Sequence, residues 1–189
     1  DLIKQIKKTL QGRNIIDPRV IKRPLEMPKE LIFAAGEKLA TRKAASYWFK
    51  WLMNQTAFFY AGAGDISGSV LFKETEDVYG LINQNNPIGR GIRFGIAEQN
   101  MAMFSSALTQ DILPGGFRPV SVFGTFAVFT SMMSNCVRLA LINNHLCPER
   151  AGFFIMLASH DGPETGEDGP THQGLYWMSN FMAYPGIKV

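Results

Sequence analysis

Residues 91–123, GIRFGIAEQNMAMFSSALTQDILPGGFRPVSVF, decide the fold. GIRFGIA (91–97) reads as a strand, EQNMAMFSSALTQD (98–111) as a helix without internal Pro or Gly, and PVSVF (119–123) as the next strand. Outward from this unit the alternation continues. Upstream, a helix is expected from about Glu30 to Met53, where apolar residues recur every three or four positions, and TAFFYAGAGD (56–65) reads as a buried strand ending in a glycine-rich turn. Downstream come a helix over FAVFTSMMSNCVRLALINN (126–144), a strand over AGFFIMLAS (151–159), a polar loop at 160–173 and a short helix. This order predicts an α/β domain: a doubly wound, mostly parallel sheet with helices on both faces. In such sheets ligands gather beyond the carboxyl ends of the strands, and Asp65, Glu98, Phe126 and His160 all fall at or just past those ends.

The chain has 189 residues, 46% of them hydrophobic, enough for a single well-buried core. Residues 1–30, with Pro18, Pro24 and Pro28, are expected to form a linker or arm lying on another surface, and residues 31–189 the domain. Residues 1–50 carry twelve Lys or Arg against five Asp or Glu, the remainder seven against eleven, so a basic front precedes an acidic body. The basic residues alternate with Leu and Ile at helical spacing and few aromatics stand among them, which argues against nucleic-acid binding. Cys136 and Cys147 lie in no metal-ligand or Cys-x-x-Cys spacing, so a metal or disulfide framework is not expected. With no signal segment and no bilayer-length apolar run in the sequence, the expectation is a soluble cytoplasmic protein without a membrane partner.

Glu98 opens a helix directly after a strand, where orphan backbone donors favour a carboxylate. Alone it reads as an ordinary first-turn acid. Its apolar neighbours Ile96, Ala97 and Met101 also suit a desolvated carboxyl that exchanges a proton with a ligand. Phe126 and Phe129, followed by Met132 and Met133, read as a core face. An aromatic at the start of a helix near the strand ends also suits stacking on a planar heterocycle. The stretch HDGPETGEDGPTHQ (160–173) is the densest polar cluster, placing His160, Asp168 and His172 in a glycine-rich loop. Arg42, Lys43 and Ser69 read as surface groups or as phosphate ligands.

Four pieces, in order, resemble the pyrimidine-binding domain of transketolase: ATRKA (40–44), GAGDISGS (62–69), GIAEQNM (95–101) and HDGPETGEDGPTHQ (160–173). The match runs from about Leu39 to Val189. The last piece is highly specific; the glutamate motif is shared more widely among thiamine-diphosphate enzymes. The resemblance implies the thiamine-diphosphate-binding fold and transfer of a two-carbon ketol unit from a ketose phosphate to an aldose phosphate. It implies that Glu98 hydrogen-bonds a ring nitrogen of the cofactor's aminopyrimidine and so promotes loss of the thiazolium proton. Phe126 and Phe129 match aromatics packed on the pyrimidine, Asp65 the aspartate beside the cofactor, and Ile66 an aliphatic residue holding it bent. His172 and Asp168 match groups that bond donor hydroxyls near the reacting carbons, with His172 counted as catalytic beside Glu98. Arg42, Ser69 and His160 match the grip on the sugar phosphate.

The family binds the cofactor diphosphate and its Mg2+ or Ca2+ through a GDG motif in a preceding domain, and no GDG occurs in this sequence. A homodimer partner or a separate diphosphate-binding subunit is therefore expected to complete each site, and the isolated chain to be inactive. The chain is expected to be either a domain excised from a longer polypeptide or one subunit of a split enzyme, and the end at GIKV favours the fragment. Three departures stand out: Ala97 where many transketolases carry Arg, Met132 where a tyrosine is common, and Gly162-Pro163 in place of Ser-Ile. Ala97 is shared with deoxyxylulose-phosphate synthases. A synthase-like or 2-oxo-acid enzyme is thus the alternative enzyme reading, and a non-catalytic assembly domain the alternative outside catalysis.

Overall fold

The computed structural model describes residue 4 and residues 14–70, 72–162, 168–174 and 177–188. The amphipathic start DLIKQIKKTLQG, apart from Lys4, and residues 163–167 of the polar loop lie outside the described residues.

The first long helix, α1, spans Thr41–Gln55 and buries Ser46, Phe49 and Met53 at three- and four-residue steps. It begins eleven residues later than the apolar spacing predicts. Pro28 leads into one 3₁₀ turn at Lys29–Leu31, and Gly36 takes φ 84° within the turn that joins Glu37 N–H to Ala34 O. A helix cannot pass through that left-handed backbone, so the periodic Leu31 ends the 3₁₀ turn and Phe33 and Ala34 lie outside any helix. Then follow β1 (Phe59–Ala63), α2 (Lys73–Tyr79), β2 (Gly91–Arg93), α3 (Glu98–Gln110) and β3 (Val120–Phe126). A 3₁₀ stretch, Ala127–Met133, leads into α4 (Ser134–Leu146), after which come β4 (Phe154–Ser159), a 3₁₀ turn at Pro170–His172 and α5 (Trp177–Met182). The helix expected from Phe126 thus starts at Ser134, and Phe126 itself closes a strand.

All pairings in the sheet are parallel, in the order β2-β1-β3-β4. The chain moves outward one way from β1 to β2, then crosses back over β1 to β3, so the winding direction reverses between β1 and β3. That reversal opens a crevice beyond the carboxyl ends of these two strands. One core, with Phe49, Met53, Phe59, Val70, Phe72 and Val122, fills the space under α1. A second, with Met101, Ala102, Phe123, Met133, Val137 and Phe181, fills the opposite face under α3 and α4. The doubly wound α/β architecture is therefore the one the sequence alternation implies.

Arg90, 5% exposed, ties the layers at the amino end of the sheet. Its Nη1 donates to Met53 O at 2.5 Å and Thr56 O at 2.8 Å, and its guanidinium lies 3.7 Å over the Tyr79 ring. It thereby serves carbonyls that the end of α1 leaves without helical partners. Residues 14–19 of the expected arm also lie on this chain's own body. Ala57 N–H donates to Asn14 O at 2.9 Å, Thr56 Oγ1 to Ile16 O at 2.5 Å, and Arg118 N–H to the Asp17 carboxylate at 3.3 Å. Among the described residues no helix is long and apolar enough to cross a membrane.

Candidate active site

Because α1 runs antiparallel to β1, its first turn reaches the carboxyl edge of the sheet and brings Arg42 to the end of β4. There Arg42 Nη1 lies 2.8 Å from His160 Nε2. A guanidinium only donates, so Nε2 accepts and the imidazole proton resides on Nδ1. Asp168 Oδ2 stands 2.7 Å from that Nδ1, close enough for electrostatic attraction but out of line for a hydrogen bond. Arg42 Nε is likewise buried without an acceptor. A buried donor lacking an acceptor, as Arg42 Nε is, is costly unless a ligand supplies oxygen, and Arg42 and His160 line a groove of about 520 Å³ together with Ser159 and Asp161.

His160 carries the strain of this arrangement. Its φ of 58° is the one left-handed value at a non-glycine position among the described residues. Its carbonyl accepts the Gly174 N–H at 3.2 Å, so both ends of the polar loop are joined. Gly174 can approach because it lacks a side chain: a Cβ there would sit 2.5 Å from the Ala127 Cβ. The His160 ring lies flat on Phe126, centroids 4.1 Å apart and planes 14° from parallel. His172 meets the same aromatic pair edge-on, 5.8 Å from Phe126 and 5.4 Å from Phe129. Phe126 is buried with this face covered by His160, so it is not the open stacking platform its position suggests. Phe129 is half-buried.

Glu98 opens α3 and is 8% exposed, with the Thr125 hydroxyl donating to its Oε1 at 3.4 Å. Thr125 and Phe126 are consecutive on β3 and point to opposite faces, Thr125 toward α3 and Phe126 toward His160 and the α1 side. The structure thus gathers Arg42, Phe126, Phe129, His160, Asp168 and His172 into one contacting cluster, with Glu98 at the same sheet edge across β3. The turn after β1 carries Asp65 and Ser69, both exposed, and Ile66, half-buried against the first core. Among the described residues no hydrogen bond or ring contact joins these three to the histidine cluster.

Several contributors escape the motif reading. Thr125 is visible only once β3 alternation assigns it to the Glu98 face. Gly174 follows the recognisable loop and shows its role only by packing. Beside β2, the buried Glu76 carboxylate holds Arg93 Nη2 at 2.8 Å, a bond and charge that raise the Arg93 pKa. The short α2 that carries Glu76 has no sequence pattern long enough to announce it.

Known proteins resemble this chain in sequence and fold. The family model for the transketolase pyrimidine binding domain matches residues 37–189. Transketolase 1 of Saccharomyces cerevisiae is 31% identical over 159 residues, which cover 82% of this chain and 22% of that protein. Transketolase of Physarum polycephalum is 33% identical over 155 residues, 82% of this chain and 21% of that protein. The chain therefore spans about a fifth of the length of the curated relatives it matches. Among solved structures, transketolase from Campylobacter jejuni superposes with a TM-score of 0.67 at 25% identity, covering 95% of this chain and 24% of that one. A Pichia stipitis transketolase in complex with sedoheptulose-7-phosphate gives 0.63 at 25% identity, over 80% of this chain and 21% of that one. With the family model, the sheet order and the relatives in agreement, this chain belongs to the transketolase pyrimidine-binding domain family.

Proposed function

We propose that this chain is the pyrimidine-binding part of a thiamine-diphosphate-dependent transketolase that moves a two-carbon ketol unit between sugar phosphates. The observation that carries the reading is the Arg42–His160 contact, with Arg42 Nε a buried donor without an acceptor, beside a groove at the carboxyl edge of the sheet. Such a donor fits a phosphate or polyol oxygen. The donor set also fits the cofactor's heterocycle: a buried carboxyl at Glu98 for a ring nitrogen, and the half-buried Phe129 beside Phe126 for apolar contact.

When bound, thiamine diphosphate supplies the electron sink that carbon–carbon bond cleavage between a carbonyl and its neighbour requires. The residues of this chain bind, orient and exchange protons. Glu98 holds the aminopyrimidine through a proton shared at a carboxyl oxygen, and its burial keeps water from competing. Asp65 and Ile66 border the heterocycle from the β1 turn. Arg42, His160 and Ser69 hold the sugar phosphate, and Asp168 and His172 the hydroxyls nearest the reacting carbon. That division makes the site one of positioning and electrostatics.

The cofactor diphosphate and its Mg2+ or Ca2+ are assigned to a part of the enzyme other than this domain, reached through a homodimer partner or a separate subunit. The domain alone is accordingly inactive, and the working enzyme is assigned to the cytoplasm. The deciding experiment supplies the complete protein with thiamine diphosphate, Mg2+, a ketose phosphate and an aldose phosphate. Ketol transfer that disappears in Glu98→Gln supports the reading. Formation of deoxyxylulose phosphate with release of CO2, when pyruvate replaces the ketose phosphate as donor, would transfer the protein to the synthase class, and inactivity with either donor would leave an assembly role.

A further inference from the structure

We infer that Thr125 is a positioning residue for Glu98, a role that rests on the transketolase reading and adds to it. The Glu98 carboxyl is almost wholly enclosed at the start of α3, and Ala97 before it offers no side-chain oxygen to the helix end. Among the described residues, the hydrogen bond made to that carboxyl comes from the Thr125 hydroxyl, donated to Oε1 at 3.4 Å. Thr125 is itself 1% exposed, and its backbone is fixed by pairing with Ala158 and by the Ser159 hydroxyl donated to Thr125 O at 3.4 Å. A β-branched side chain on so constrained a strand has little rotamer freedom, so its hydroxyl is a fixed donor.

The consequence is chemical. A carboxyl that must share a proton with a ring nitrogen has two oxygens to offer, and an enclosed one without a fixed donor rotates between them. Thr125 occupies Oε1 and leaves Oε2 as the oxygen that shares the ligand's proton. Lower on the same strand face, the Ser121 hydroxyl meets the Ser105 hydroxyl of α3 at 3.0 Å. That pair only ties strand to helix, and it is the bland role against which Thr125 has to be tested.

The test uses the complete enzyme. Thr125→Val keeps the shape and removes the hydroxyl; Thr125→Ser keeps the hydroxyl. The expected result for Thr125→Val is a kcat lowered about five- to tenfold with an unchanged donor KM, the scale of one ordinary net hydrogen bond used at the chemical step. Thr125→Ser should recover most of that loss. A second readout needs neither cofactor nor turnover: the infrared carboxylate band of Glu98, isolated as wild type minus Glu98→Gln, should shift in Thr125→Val and stay in place in Thr125→Ser. An unmoved band with undiminished kcat overturns the inference, and so does equal damage in both variants, which would mark a packing role. If Thr125→Val does not fold, Thr125→Ser compared with Thr125→Ala reads the same hydroxyl. Failure of ketol transfer in the wild type would count against the transketolase reading alone, since the infrared band reports the Thr125–Glu98 contact by itself.

Discussion

Arg42 and His160, 118 positions apart in the chain, meet through a 2.8 Å contact in which one basic side chain donates to another. Nε2 offers its lone pair to the guanidinium, and among the described residues no carboxylate forms an ion pair with Arg42. An arriving phosphate is the group that completes it. Arg42→Ala should raise KM for a phosphorylated donor at least about tenfold, the worth of a charge-assisted bond, and leave an unphosphorylated ketose little affected. Arg42→Lys should be nearly as poor, because a point charge lacks the planar fork that serves ring and anion together. Equal KM values for wild type and Arg42→Ala on the phosphorylated donor would remove the phosphate assignment.

The stack of His160 on Phe126 predicts that the aromatic cage and the phosphate grip fail together. Phe126→Leu keeps the site apolar but removes the flat support of the imidazole. A loss of about 1–3 kcal/mol in unfolding stability is expected from the truncated, buried ring. The same variant should raise KM for the phosphorylated donor although the leucine side chain introduced there touches no phosphate. Steady-state kinetics on paired donors reads this directly, and a stability loss with unchanged KM would separate the two groups.

Arg90 is a stability prediction far from any chemistry. Arg90→Met retains bulk but strands Met53 O and Thr56 O and abolishes the contact with Tyr79. The expected cost is about 2–4 kcal/mol, that of buried carbonyls left without donors. Denaturant unfolding measures it, and a change under about 0.5 kcal/mol would show that α1 ends without needing this clamp.

Acid should loosen residues 14–19 before it unfolds the body. The bond from the Arg19 side chain is the main influence holding the Asp17 carboxyl below its ordinary pKa of 3.8, with further help from the Arg19 and Arg118 backbone N–H groups. A depressed pKa means that the contribution of Asp17 is fully present above pH 3.8 and is lost as pH falls through the lower, folded-state value. The protection of the Arg118 and Ala57 amides, relative to intrinsic exchange at each pH, should therefore fall as pH drops below 3.8. Asp17→Asn should show faster exchange at neutral pH and lose the acid dependence. Exchange that responds to acid equally in Asp17→Asn would assign the effect elsewhere.

β1, β3, β4 and α3 are legible because each is a continuous apolar or amphipathic segment whose period belongs to one structure, whereas of the strand expected over 91–97 only Gly91–Arg93 pairs in the sheet. What stayed hidden depends on single residues or on distance. The false start of α1 came from Phe33 and Ala34 continuing a helical spacing that one left-handed glycine interrupts. Phe126 read as helical because the 3₁₀ stretch after it repeats apolar residues at nearly α-helical intervals. The site residues were found through motifs. Their division into a Glu98 side and a His160 side was not, because it follows from strand alternation combined with packing across more than 100 positions. Arg90 offered no signal: a lone Arg before a strand looks like any solvated charge until it is seen beneath the end of α1.

Thr125 and Phe126 impose a form of fragility unlike that of any point substitution. Because neighbours on a strand face opposite ways, one residue inserted or deleted between Val120 and Gly124 would exchange their sides. The hydroxyl would be turned to the imidazole and the ring driven toward the acid, so both halves of the site would be lost in one event while the composition stayed almost the same. This segment of the gene should accept no change of length, which a library of single-codon insertions and deletions could chart.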